Sequence, residues 1–245
     1  MTAFVYPYTA AFFMDTLGIE AVEWDIIRFD EFDSQGTGLD MQSEMADPKW
    51  TATLVMRELY NAEARAIAAK VRKLDGSALT FLVYDPSNAY PAADPGGRIL
   101  DGTDWLFASG SWNDDNQWFD SLALSATSAA SGTVKLASIG SNNQSVSLSG
   151  LPAGYVLTIG DKLQINFGTD SVYFFEVSET VTANGSGTTA AFEVFPHIAA
   201  GVAVNATVIL KKAACKMTIQ PGGFSPGRSQ GVITSGTSIS AMEHI

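Results

Sequence analysis

TATLVMRELYNAEARAIAAKVRKLDGSALTFLVY (Thr51–Tyr84) reads as strand, helix, strand, and the rest of the chain is placed around it. Over Thr51–Leu59, Thr51, Thr53, Val55 and Arg57 oppose Ala52, Leu54, Met56 and Glu58, the two-residue period of a strand with one buried face. A helix is predicted from about Asn61 to Leu74. Asn61 can cap its start, Ala62, Ala66, Ile67, Val71 and Leu74 keep one side apolar, and Gly76 follows as a stop. LTFLVY (Leu79–Tyr84) is the short apolar run of a buried strand. Upstream, IEAVEWDIIRF (Ile19–Phe29) makes a further strand, whereas DSQGTGLD (Asp33–Asp40) and DPSNAYPAADPGG (Asp85–Gly97) have the Gly, Pro, Asn and Asp density of loops.

Beyond Leu124 the composition changes. SATSAASG (Ser125–Gly132) reads as a small-residue linker, and from there to about Val208 charge is sparse while Gly, Ser, Thr and Val dominate. TVKLASI, QSVSLSG, YVLTIG, KLQINF, VYFFEV, AAFEVF and ATVILK are short strand candidates divided by Gly, Asn or Asp, the spacing of a small sandwich or barrel. TANGSGTT (Thr182–Thr189) between two of them signals a hairpin turn. KKAACKMTIQPGG (Lys211–Gly223) supplies one last strand, expected to return to the first domain, and FSPGRSQGVITSGTSISAMEHI (Phe224–Ile245) reads as a low-complexity tail. The expected fold is mainly β (α+β): a β-sandwich domain with one flanking helix, residues 1–124 with 213–245, and a small inserted β-sandwich or barrel module, residues 125–212.

With 46% hydrophobic and 16% charged residues in 245, the composition is that of a folded chain with a sizeable core. Cys215 is the single cysteine, so no intrachain disulfide or thiolate cluster is available to staple it. No apolar run is long enough for a membrane helix, and MTAFVYPYTAAFFMDTL lacks the basic start of a signal peptide, so a soluble protein made in a cytoplasm is expected, without membrane insertion. The net charge of -12 argues against a phosphate-gripping surface. GxxxxGK[ST], HExxH and GxGxxG are absent, and His197 at a strand end and His244 in the expected tail make a poor basis for a metal or nucleophile site. No catalytic residue, metal or cofactor is therefore expected.

Charge is unevenly spread. Between Asp15 and Asp47 ten acids face one base, Arg28, and between Lys49 and Lys73 six bases face Glu58 and Glu63. Opposed patches of this kind suit self-association, one subunit's acidic face meeting the next subunit's basic face; the plainer reading is a solvated surface. DGTDWLFASGSWNDDNQWFD (Asp101–Asp120) sets Asp101, Asp104, Asp114, Asp115 and Asp120 among Trp105, Trp112 and Trp118. Tryptophans beside carboxylates are what sugar binding and glycoside hydrolysis use, but aromatic packing at a core or subunit interface is the favoured reading. Gly160-Asp161 before KLQINF is explained by a turn leading into a strand.

DPKWTATLVMRELYNAEARAIAAKVRKLDGSALTFLVYDP (Asp47–Pro86), a tryptophan-led strand, an Ala- and Glu-rich helix, a Leu-Asp-Gly stop and a strand ending in Asp-Pro, resembles the N-terminal belt region of distal tail proteins of long-tailed noncontractile bacteriophages and related gene-transfer particles. IGDKLQINFGTDSVYFFEVSETVTANGSGTTAAFEVFP (Ile159–Pro196) is similar to the small β module inserted in many of them. The resemblance implies a non-enzymatic virion protein of the tail tip, made in the host cytoplasm. Its partners would be its own copies in a homo-hexameric ring, the tail tube protein above and hub proteins below, with DNA passing through a central channel without specific binding. Under it, Asp25, Asp30, Glu31, Asp33 and Asp40 are candidates to line the channel, and Arg65, Lys70, Arg72, Trp105, Trp112 and Trp118 to form the subunit interface. The chain ends soon after the strand at Lys216–Gln220, so the C-terminal carbohydrate-binding domain of some members is not expected. A carbohydrate-binding or depolymerising tail protein and a tail tube protein are the alternatives.

Overall fold

In a computed structural model, which describes residues 6–34, 38, 40–101, 133–168 and 170–244, the alternation expected over Thr51–Leu59 belongs as far as Met56 to a longer strand, and Leu59 opens a separate short one. The fold is mainly β. In chain order it runs β1 (Ile19–Ser34), β2 (Asp40–Met56), β3 (Leu59–Tyr60), α1 (Asn61–Arg72) and β4 (Phe81–Tyr84). Then follow β5 (Lys135–Ile139), β6 (Ser145–Ser149), β7 (Val156–Leu157), β8 (Lys162–Phe167), β9 (Ser171–Val177), β10 (Val181–Thr182), β11 (Phe192–Phe195) and β12 (Val208–Ile209). The chain closes with β13 (Ala214–Gln230) and β14 (Ile233–Glu243). It divides into two units, the first from Met1–Ala89, Gly168–Phe174 and Lys212–Ile245, the second from Tyr90–Phe167 and Phe175–Lys211. The second unit thus starts at Tyr90, ahead of the linker expected at Ser125–Gly132, which lies outside the described residues.

In the first unit one antiparallel sheet has the order β1-β2-β14-β13-β4, with β3 pairing β14. Side chains alternate across a strand, so register decides which of them meet. Trp24 pairs Ala52, Ile26 pairs Trp50, Leu54 pairs Ile239 and Met217 pairs Glu243, and these residues share the core face. The opposite face carries Glu23 and Asp25 on β1, Thr51 and Thr53 on β2 and Ser240 on β14.

α1 covers the core face through Ala64, Ile67, Ala68 and Val71, the i, i+3, i+4, i+7 stripe, and Leu74 just past its end is fully buried. Ala62 and Ala66, expected on that stripe, are exposed. Asn61 is the first helical residue and not the cap. Its amide donates to Gly231 O at 2.8 Å and accepts from Thr234 Oγ1 at 2.8 Å, tying the helix start to the β13–β14 turn, while Glu63 accepts from Tyr60 N at 3.3 Å. Gly76 takes the positive φ of +68° that ends the helix. Phe13, Leu54, Leu74 and Phe81 are fully buried, each contributing about 1.5–3 kcal/mol of apolar transfer.

The stretch read as a low-complexity tail is corrected by the structure. Phe224–Gln230 continue β13, and Ile233–Glu243 form β14, the strand between β2 and β13. Thr234, Thr237, Ile239, Ala241 and Glu243 are its buried positions, and four of the five are small or polar, which masks the alternation. Pro221-Gly222 sit in the irregularity between Ile219 and Phe224, where a missing N–H costs the ladder little.

A second, six-stranded sheet runs β12-β8-β9-β11-β6-β5, accompanied by the two-stranded β10-β7; of β9 only Phe175–Val177 belong to the second unit. The bridge Lys135–Thr207 and the bonds Leu136 N to Ala206 O (2.9 Å) and Val208 N to Val134 O (2.9 Å) join β5 to the β12 end and close the strands into a barrel. Leu136, Val146, Leu148, Leu163, Ile165, Phe175 and Phe192 fill it. In the Gly160-Asp161 turn, Gly160 has φ +92° and the buried Asp161 carboxylate accepts from Ala92 N (2.9 Å) and Thr158 N (2.7 Å). In the hairpin turn the Asn184 side chain accepts from Ser186 N at 3.0 Å and Thr188 N at 3.0 Å.

Glu243 is turned into the first unit's core face, at 3% exposure, with Oε2 accepting from Trp50 N at 3.0 Å. Burial pushes its carboxyl from 4.5 up to about 7, against the opposing effects of the Trp50 N–H, the Cys215 thiol and Lys49. The folded state therefore keeps a proton that the unfolded chain releases near 4.5, and stability falls as pH rises from there to about 7. The full effect is roughly 3 kcal/mol. Glu243→Gln, which preserves an acceptor for Trp50 N–H, should match the wild type in melting temperature near pH 4.5 and exceed it increasingly up to pH 8. A difference independent of pH would show that Glu243 does not titrate as described.

Candidate functional site

β14 pairs β2 only over Thr51–Val55, so the residues of β2 before them ladder with β1 alone. From Ile27 to Ser34, paired back to Lys49 through Asp40, β1 and β2 form a two-stranded ribbon extending from the sheet by about 26 Å at 3.3 Å per residue. Two register shifts, between Ile27 and Phe29 and between Phe29 and Asp30, place extra residues on β2 and increase the local twist. Pro48 falls within the first, which is where a strand tolerates a residue with no N–H.

This arm has no buried residue. Phe32 is 71% exposed, Met45 66% and Met41 57%, while Ile27 and Phe29 are also largely solvent-facing. Single exposed apolar residues are ordinary, but a run of them on a ribbon with both edges open is the arrangement that pairs with another chain. An isolated two-stranded ribbon is at best marginally stable in water.

The five acids expected to line a channel all lie on β1 or the first residue of β2, and register divides them. Asp25, Glu31 and Asp33 share the face that carries Glu23, whereas Asp30, and Asp40 opposite Ser34, are on the other. Asp30 sits directly across from Glu44, a destabilising like-charge pair, and is paired with Arg28 at 3.4 Å. Phe32, Met41 and Met45 were not singled out in the sequence, and Glu44 was counted only among the ten acids. A strand solvated on both faces shows no apolar alternation, so Asp33–Asp40 reads as loop although Asp33, Ser34 and Asp40 belong to the strands.

Arg65 and Arg72 are exposed on α1, and among the described residues neither makes an ion pair. They line an open groove of about 400 Å³ between α1 and the outer half of the β13–β14 hairpin, with Ala64, Ala68, Pro226 and Ser229. Lys70 differs: its ammonium donates to Thr16 Oγ1 at 3.1 Å and lies 4.9 Å from the centre of the Phe12 ring, binding the helix to the N-terminal turn. Nearby, Asp15 accepts from Tyr84 Oη at 2.6 Å and Lys212 Nζ at 3.0 Å. The Tyr84 hydroxyl, with Lys212, holds its carboxyl below the usual range against the opposing effect of burial. These contacts are structural ties where the chain leaves and re-enters the first unit.

Trp105, Trp112 and Trp118, with Asp104, Asp114, Asp115 and Asp120, lie outside the described residues; Asp101 is described and pairs with Lys211. Among the described residues no three His, Cys, Asp or Glu side chains gather as a metal site. No protein family and no curated protein matches the chain.

Because Phe32 and Met45 touch solvent and not the core, replacing both with Ser should change folding stability by no more than about 0.5 kcal/mol. The same double variant should weaken self-association or binding to a partner, read by sedimentation velocity against the wild type. A fall in unfolding midpoint comparable to a core truncation would instead place these side chains within the fold.

Proposed function

We propose that this chain is a structural, non-enzymatic subunit of a bacteriophage tail tip, a distal-tail-type protein that closes into a ring between the tail tube and the hub. The observation that carries the reading is the β1–β2 arm, a long ribbon with open edges and exposed Phe32, Met41 and Met45. Such an element gains its ordering free energy from a neighbour and not from its own subunit. The resemblance of Asp47–Pro86 to the belt region of distal tail proteins supplies the kind of assembly, a homo-hexameric ring, and its setting in the virion.

In this reading the face bearing Glu23, Asp25, Glu31 and Asp33 lines the conduit. Fixed negative charge on a wall repels phosphate and lets DNA pass without being held. The wall acts only within about a Debye length, roughly 8 Å at physiological salt, so its effect is screened as salt rises.

Native mass spectrometry of the full chain, alone and with tail-tube rings as template, should find a closed oligomer of six. Particles built with Glu31→Lys and Asp33→Lys should assemble yet eject DNA more slowly at low salt, the difference shrinking at high salt. Open or monomeric chains on the template would defeat the ring, and salt-independent ejection would remove those acids from the wall.

A further inference from the structure

We propose that the groove between α1 and the outer half of the β13–β14 hairpin receives the β1–β2 arm of a second copy of this chain, through the arm face that carries Asp30, Phe32, Asp40 and Glu44. The inference deepens the ring reading and rests on it for the repetition of the contact around a closed assembly.

Three separate features of the first unit meet in this assignment. The groove has two exposed guanidiniums, Arg65 and Arg72, without an ion pair among the described residues, above a floor of the small residues Ala64 and Ala68. Planar guanidiniums suit carboxylates. The arm face offers three carboxylates around one aromatic ring, Phe32, that is 71% exposed. Asp30, which Arg28 of the same face already meets at 3.4 Å, and Glu44 oppose one another across the ribbon, and further guanidiniums from outside offset the acid excess that remains on this face.

Arm and groove are different surfaces of one chain, so the contact is head-to-tail. Contacts of that type generate a ring when the rotation closes and a filament when it does not. The arm's two faces then have separate work: Asp25, Glu31 and Asp33 turn toward the conduit while Asp30, Phe32, Asp40 and Glu44 turn toward the neighbour. Ion pairs at such a rim set register, and Phe32 between Ala64 and Ala68 supplies the apolar contact.

The test uses full-length chains. Gln42→Cys on the arm and Ser229→Cys at the groove replace exposed residues, and the native Cys215 is fully buried. Mixed under mild oxidation, the two variants should form a disulfide between unlike chains, lost when Arg65→Glu and Arg72→Glu are added. Sedimentation velocity should find the Arg65→Glu/Arg72→Glu chain at least tenfold weaker in self-association with its melting temperature kept. Association should return on mixing it with Asp30→Lys/Glu44→Lys chains. A disulfide mainly between two Gln42→Cys chains, which marks two-fold pairing of arms, or no disulfide in the mixture, overturns the inference. A closed oligomer of six without the mixed disulfide overturns the inference and keeps the ring. The mixed disulfide in open chains only, with the tail-tube template present, keeps the inference and overturns the ring.

Discussion

β14 lies between β2 and β13, with Ile239 against Leu54 and Ala241 against Ala52 on one side and Ile219 on the other. Everything in the first unit depends on this placement. Until the last strand docks, β1–β2 and β13–β4 are separate pieces, and α1 has no complete surface for Ala64, Ile67, Ala68 and Val71. The strands that meet are far apart in sequence, with the whole second unit between β4 and β13. Loop closure of that length is unfavourable in entropy before the contacts form, so the sheet forms late and cooperatively. Glu243 stands at the end of the same strand, and its protonation links the docking of β14 to pH.

The same sheet explains why the arm exists. β14 accompanies β2 only as far as Thr51, and past that point β2 pairs, among the described residues, with β1 alone. A strand leaving a sheet in this way normally shortens or covers its edge. Here it continues with acids on both faces and with Phe32, Met41 and Met45 exposed, so charge keeps the ribbon soluble while the apolar residues remain available. In a head-to-tail ring that combination suppresses wrong pairings, because two acidic arms repel and an arm and a basic helix attract.

What the sequence allowed to be read follows burial. Thr51–Met56 and α1 were legible because each has one dry face and one wet face, which is what periodicity detects, and the short strands of the second unit were legible from their Gly and Asn punctuation. β14 was not, since its buried positions are largely Thr, Ala and Glu, whose partners lie on β2 and β13. Proline breaks a ladder bond, yet Pro48 and Pro221 sit at irregularities and Pro226 in the half of β13 that pairs, among the described residues, with β14 alone. The acids of the candidate surface were found as a cluster, but their division between two faces needs the register, and the apolar half of the surface needs exposure. Asn61 shows the same limit: as a helix cap it was a local guess, whereas its actual partners, Gly231 and Thr234, are nearly at the other end of the chain.

Lys212 N donates to Ala89 O at 2.6 Å, and the Lys212 side chain is held by Asp15 beside Tyr84. The outgoing and returning chain are thus fixed together by residues of the first unit. The stretch between them is no free appendage, because Gly168–Phe174 within it belong to the first unit and Phe174 is fully buried in that unit's core, its carbonyl accepting from Trp50 Nε1 at 3.2 Å. The junction is a clasp with one thread passed back through it: a different module between Ala89 and Lys212 leaves the first sheet's core whole only if it returns an aromatic ring to the place of Phe174.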